Sequence, residues 1–138
     1  MQLESPSGWM PPSFSNFYEY TLPTAAAAGS WTQLNPGNPN EPRWRRQPVV
    51  LEDPSTGNAI GLYSPDILNS TTAWFVWNNF GGSTDGSDTS WWSFISQDYG
   101  SVPQGTVVSR KAYLVFGTRN EVQNGLDNLH CYFNGICH

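Results

Sequence analysis

From Trp31 onward the chain is a series of short apolar runs, each cut off by a cluster of turn-forming residues, and this punctuation limits what it can fold into. Runs of Val, Ile, Trp, Tyr and Phe bounded by Gly, Pro, Asn, Asp and Ser have the spacing of antiparallel β-sandwich strands. Thirteen glycines and eleven prolines, some grouped as in Pro11–Pro12 and Asn35–Pro36–Gly37–Asn38–Pro39, leave helix a minor share. The pattern predicts strands at Trp31–Leu34, Arg43–Glu52, Ala59–Tyr63, Ala73–Phe80, Trp91–Ser96 and Thr106–Phe116. Asp53–Pro54–Ser55–Thr56–Gly57–Asn58 reads as a hairpin turn in which glycine supplies a positive φ. Ala73–Phe80 and the later half of Thr106–Phe116 are apolar on both faces, which predicts central positions covered on each side.

One helix is signalled. Thr118–Arg119–Asn120–Glu121 has the form of a capping box, and Val122, Leu126 and Leu129 follow at i, i+4 and i+7 as one apolar stripe. Gly125 within it costs about 1 kcal/mol relative to alanine, so packing on the sheet has to hold the helix. At the other end, prolines interrupt every run of residues 1–30, and the four alanines Ala25–Ala28 are too few for a helix. This segment is expected as an extended arm whose Trp9, Phe14, Phe17, Tyr18 and Tyr20 are too apolar for a solvated linker. The expected architecture is mainly β: a single antiparallel sandwich over residues 31–138, preceded by the arm at 1–30 and carrying one short C-terminal helix.

Seven tryptophans make the chain unusual: 14% of residues are aromatic against 12% charged, where roughly a quarter charged is ordinary. Each indole either adds mass to a core or offers a flat face with one N–H donor. A net charge of −5 with only six basic residues argues against nucleic-acid binding, which needs a spread of Lys and Arg. No run approaches the roughly 18 apolar residues of a membrane helix, and the first 30 residues lack the basic start and apolar run of a signal peptide. Sparse lysine, abundant Ser, Thr and Asn, an Asn69–Ser70–Thr71 glycosylation triplet and paired cysteines together point to an extracellular or cell-surface protein.

Cys131 and Cys137 enclose an Asn134–Gly135 turn former, which suits a disulfide-closed terminal hairpin. His130 and His138 flank the two cysteines, so a zinc site of His, Cys, Cys and His is the alternative, with free thiols a third. Asp85 and Asp88, in the Gly- and Ser-rich stretch 81–90, offer hard oxygens for calcium but lack the twelve-residue loop with its terminal glutamate, and a solvated loop is expected. No phosphate-cradling glycine loop with lysine, nucleophile elbow or zinc-protease motif occurs. A carboxylate pair for glycoside hydrolysis is formally available among Glu52, Asp53, Asp66, Asp98 and Glu121, and a triad would require His130. With no pattern tying them together, the chain is expected to be non-catalytic, with no cofactor and no metal.

Pro48–Val49–Val50–Leu51–Glu52–Asp53, Asn58–Ala59–Ile60–Gly61–Leu62–Tyr63–Ser64–Pro65 and Ala112–Tyr113–Leu114–Val115–Phe116–Gly117–Thr118 with Glu121–Val122 carry a resemblance. This part of the chain, residues 47–129, resembles the C-terminal β-sandwich region of large secreted microbial proteins of polysaccharide metabolism. There, a strand ending in an acidic turn leads to a glycine-rich strand, and a tyrosine-rich strand runs into a short acidic helix. The chain departs from that pattern at Asn58–Ala59, where a tryptophan usually precedes the glycine. The resemblance implies a fold and a carbohydrate-rich extracellular setting, and it carries over no catalytic residue.

The expected function is therefore a non-catalytic carbohydrate-associated module with a polysaccharide or glycan partner. Trp74, Trp77, Asn78, Trp91, Trp92 and Tyr99 are the candidate sugar contacts, and strand alternation allows at most one tryptophan of each pair to face outward. The alternative is a structural subunit of an extracellular filament of identical copies, joined by donating the N-terminal arm as a strand, with Asn69 carrying sugar as decoration.

Overall fold

The computed structural model describes residues 3–10, 13–35, 44–65, 73–78, 90–96, 103–107 and 111–138. In chain order the elements are β1 (Leu3–Met10), β2 (Asn16–Thr21), β3 (Ser30–Leu34), β4 (Trp44–Arg45), β5 (Val49–Glu52), β6 (Asn58–Tyr63), β7 (Ala73–Asn78), β8 (Ser90–Ser96), β9 (Tyr113–Thr118) and the helix α1 (Arg119–Asn134). A five-stranded antiparallel sheet runs in the order β3-β2-β5-β6-β9, and a four-stranded one in the order β1-β8-β7-β4. The described chain is thus mainly β with one C-terminal helix.

Alternation along the strands gives the five-stranded sheet two buried faces. One gathers Phe17, Leu34, Val49, Leu51, Ile60 and Leu62, all between 1% and 7% exposed. The other gathers Tyr18, Tyr20, Leu22, Val50, Ala59 and Tyr63 against Val122 and Leu126 of α1. Two glycines let the helix lie close: a Cβ on Gly61 would stand 2.6 Å from Val122 Cγ1, and one on Gly125 would stand 2.4 Å from Val115 Cγ1. Gly125 weakens the isolated helix but removes the atom that would hold it off β9.

The β5–β6 hairpin forms as its turn chemistry predicts, with the Asp53 N–H donating to the Asn58 carbonyl at 2.8 Å and Gly57 at φ +74°. Asp53 Oδ1 accepts from Ser55 N and Ser55 Oγ at 2.8 and 2.6 Å, and the Ser55 hydroxyl is the main reason its carboxyl titrates below the usual range. The capping box at Thr118 is complete: the Glu121 N–H donates to the Thr118 hydroxyl, and the Thr118 N–H donates to Glu121 Oε2 at 2.7 Å.

Several expectations change. Arg43–Glu52 is two strands: β4 pairs with β7 in one sheet and β5 with β2 and β6 in the other. Pro48, which has no N–H for a ladder, lies just before β5, and its carbonyl accepts from Tyr20 N. Among the described residues of Thr106–Phe116, strand begins at Tyr113, and Val107 is 90% exposed. That strand, β9, is an edge and not a central strand. Residues expected as a separate arm form β1 and β2 of the chain's own sheets, with β2 held between β3 and β5. Pro6 is accommodated because β1 is an edge strand whose register shifts between Glu4 and Ser7. At the C-terminus the expected hairpin is helix through Asn134, ended by Gly135 at φ 70°, whose N–H donates to the Cys131 carbonyl. The Cys131–Cys137 disulfide closes this helix end, with Cα atoms 4.6 Å apart.

Candidate binding faces

The register of the four-stranded sheet sorts its tryptophans. Residues directly paired across antiparallel strands share a face, and neighbours along a strand alternate. Trp9 pairs with Trp91, and Trp91 with Trp77, so three indole positions stand side by side across β1, β8 and β7. At about 4.8 Å per strand the row is about 10 Å wide. Two residues along on the same face, Ser7, Ser93, Phe75 and Trp44 form the next row. The opposite face carries Gly8, Trp92 and Val76 in one row, Phe94, Trp74 and Arg45 in another, and Met10, Ser90 and Asn78 at the end. Of the expected sugar contacts, Trp77 and Trp91 therefore belong to one face, and Trp74, Trp92 and Asn78 to the other. Trp9 and Trp44 join the first set, a membership that only the strand pairing reveals. Tyr99, Asn69, Asp85 and Asp88 lie outside the described residues.

A second cluster, absent from the sequence-based candidates, sits where α1 begins. The Arg119 guanidinium lies over the Tyr18 ring at 4.6 Å and the Trp31 ring at 5.6 Å, with Tyr18 and Trp31 edge to face at 5.8 Å. Glu52 approaches Arg119 at 4.0 Å and accepts from Asn16 Nδ2 at 3.4 Å. The register places Asn16 opposite Glu52, which brings the carboxylate within reach of the helix start. Burial, then the neighbouring Glu52, raises the Tyr18 phenol above its ordinary range and keeps it neutral. Its ring stays available as a surface for the cation.

Further along α1, polar groups tie the helix to the sheet at regular steps. Trp31 Nε1 donates to Gln123 at 2.8 Å, and the Tyr20 hydroxyl donates to Asp127 at 2.8 Å. Burial, reinforced by the bond to Asp127, keeps the Tyr20 hydroxyl protonated. His130, 3% exposed, has Nε2 at 3.0 Å from the Pro23 carbonyl, which can only accept; that nitrogen therefore carries the proton. Its Nδ1 then accepts from Asn134 Nδ2 at 3.1 Å, and the same amide donates to the Tyr63 hydroxyl at 3.0 Å. Beyond the disulfide, His138 meets the Thr24 carbonyl. These contacts use both histidines to hold the β2–β3 connection against the helix end. The zinc alternative fails, because both sulfurs are oxidised to the disulfide. Among the described residues, no three His, Cys, Asp or Glu side chains converge.

The three described carboxylates considered for hydrolysis each have another partner. Glu52 faces Arg119, Asp53 orders a turn, and Glu121 closes the helix cap, where the Thr118 N–H and hydroxyl hold its pKa down. Asp66 and Asp98 lie outside the described residues. Among the expected arm residues, Phe17 and Tyr20 are 1% and 0% exposed within this chain's own sheet, and Tyr18 is buried beneath Arg119. No described helix is long and apolar enough to cross a membrane. Comparison with protein-family models, curated proteins and solved structures gives no match.

Proposed function

We propose that the protein is a non-catalytic extracellular module that binds polysaccharide or glycan on the Trp9–Trp91–Trp77 face of its four-stranded sheet. α1 covers one face of the five-stranded sheet, yet on the other face Phe17, Val49 and Leu51 are only 1–2% exposed. The four-stranded sheet is the described element left to cover them, which would complete a sandwich. This reading sets the Gly8–Trp92–Val76 row, which has no polar side chain, on the inner side, with Arg45 at the β4 end of the neighbouring Phe94–Trp74 row. The face set toward water then holds the tryptophan row beside Ser7 and Ser93, with Phe75 and Trp44 completing the serine row.

The single observation that carries the binding reading is the cross-strand register of Trp9, Trp91 and Trp77. Sugar rings present flat C–H faces that stack on indoles, and serine hydroxyls beside the row can bond sugar hydroxyls. The disulfide supports an oxidising, extracellular compartment.

Affinity electrophoresis through gels containing soluble polysaccharides tests the reading. Retardation of the wild type, abolished in W77A/W91A with an unchanged circular dichroism spectrum, is the expected result; W74A/W92A is expected to lose folding, since the proposal assigns that face to the sandwich interior. Absence of retardation on every polysaccharide, with all indole fluorescence shielded from acrylamide, removes the proposal.

A further inference from the structure

The five-stranded sheet ends in two edges of unlike character. β3 exposes Ser30, Thr32 and Gln33, and its Trp31 indole N–H is held by Gln123. β9 exposes Leu114 at 46% and Phe116 at 66%. Edges are normally blunted with charge, proline or a bulge, and Tyr113–Thr118 contains no charged residue and no proline. On the same face, the paired residues Leu62 and Ile60 are 3% and 5% exposed. Among the described residues the cover over that face therefore stops at β6, and the apolar surface runs on to the edge.

The free backbone groups of β9 can be assigned. The Asp53 N–H donates to the Asn58 carbonyl, so Asn58 turns its carbonyl toward β5 and by alternation Ala59, Gly61 and Tyr63 of β6 direct their N–H and C=O groups toward β9. Their partners are Gly117, Val115 and Tyr113, which leaves Leu114, Phe116 and Thr118 directing theirs away from β6. Thr118 gives its N–H to Glu121. The edge that remains is two residues long, Leu114 and Phe116, with two donors and two acceptors.

We infer that β9 is an interface for a second copy of this chain, joined antiparallel about a two-fold axis at Val115 with Leu114 opposite Phe116 of the other copy. In that register both N–H groups and both C=O groups of each edge are paired, forming four bonds between the copies. Tyr113 stands opposite the other copy's Gly117, where an aromatic ring covers strand glycine. Leu114 and Phe116 of the two copies join into one apolar row that continues Leu62 and Ile60. Sliding the copies so that Phe116 meets its own equivalent would set Leu114 against Thr118, whose N–H is already committed to the helix cap. An identical strand meets every free backbone group of this short edge, and the contact is isologous and closes at two. A single strand pair falls at the small end of specific interfaces, below about 1,200 Å², so the association is weak.

Sedimentation velocity of the full chain from about 10 μM to about 1 mM, paired with amide exchange by NMR, tests the inference. A monomer–dimer equilibrium is expected, with the Leu114 and Phe116 amides slowing by roughly tenfold or more on dimerisation while the Val115 amide is unchanged. L114K/F116K changes two exposed positions and is expected to sediment as a folded monomer throughout. V115C is expected to form a disulfide-linked dimer on oxidation. A wild type that stays monomeric at the highest concentration overturns the inference, as does an open polymer. So does a dimer that L114K/F116K leaves intact or that protects other amides. The wild-type series stands by itself should a variant fail to fold.

Discussion

On the helix side of the five-stranded sheet, Tyr20, Trp31 and Tyr63 each end in a polar atom bonded to Asp127, Gln123 or Asn134 of α1. On the opposite side, Phe17, Leu34, Val49, Leu51, Ile60 and Leu62 have no polar side-chain atom at all. Both faces are dry, but only the first has direction built into it. A bond from Tyr20 to Asp127 is satisfied at one helix position and is lost on sliding or rotation. An apolar contact of similar area tolerates small shifts. The helix is thus fixed in register by polar tips, while the other face asks only for apolar bulk of suitable volume.

The largest effect is expected on the apolar face. Phe17→Ala should cost about 3–5 kcal/mol by lost burial and a cavity, whereas Leu51→Met should cost less than about 1.5 kcal/mol because volume is kept and no direction is lost. Urea denaturation of both variants checks this, and a Leu51→Met cost equal to that of Phe17→Ala would show the face to be as specific as the helix side.

The next largest effect tests how closely the helix sits. Gly61→Ala places a methyl group 2.6 Å from Val122 Cγ1 and should cost about 1–3 kcal/mol by overpacking. Adding Val122→Ala removes the atom it meets, so the double variant should be less destabilised than the sum of the singles, by about 0.5 kcal/mol or more. Strict additivity would show that the helix moves off the sheet as a body. Smaller still is Tyr20→Phe, which keeps the ring and strips only the bond to half-buried Asp127. A loss of about 1–2 kcal/mol is expected in the same denaturation series.

The same contrast explains what was legible in the sequence. Local signals were readable: the Thr118–Glu121 box, the Asp53–Asn58 turn, and Val122 and Leu126 as the buried stripe. The stripe's third member is His130 at i+8, with Leu129 only partly buried, because the imidazole finds partners in Pro23 and Asn134 and is tolerated inside. Arg119 over Tyr18 and Trp31 was not legible, since it joins residues about 90 to 100 positions apart through pairings that no local pattern specifies. Membership of Trp9 in the tryptophan row was hidden for the same reason. Pro6 and Pro11–Pro12 argue for an arm, while the partner of β1 is β8, about 80 to 90 residues on, and β2 is held by β5 as well as by the nearby β3. Apolar runs on both faces suggested burial for β9, although Leu114 and Phe116 are exposed.

The smallest effect follows from His130, a buried imidazole on the directional side whose ordinary titration range lies near neutrality. Burial lowers its pKa from 6.5, opposed by its bond to the Pro23 carbonyl and by Asp127 one turn away. As pH falls through 6.5 the unfolded chain takes up this proton before the folded one does, so stability is greatest above that value and declines toward the lowered folded pKa. Glu121 and Asp53 also titrate below their ordinary values of 4.5 and 3.8, so their contributions are lost only at more acidic pH and leave the histidine window separate. The urea midpoint should therefore fall between about pH 7 and pH 5 in the wild type. The decline should be shallower in His130→Gln, whose amide can still donate to Pro23 but takes up no proton. An unchanged slope in that variant would assign the decline to another group and leave His130 as an ordinary core residue, no more directional than Leu51.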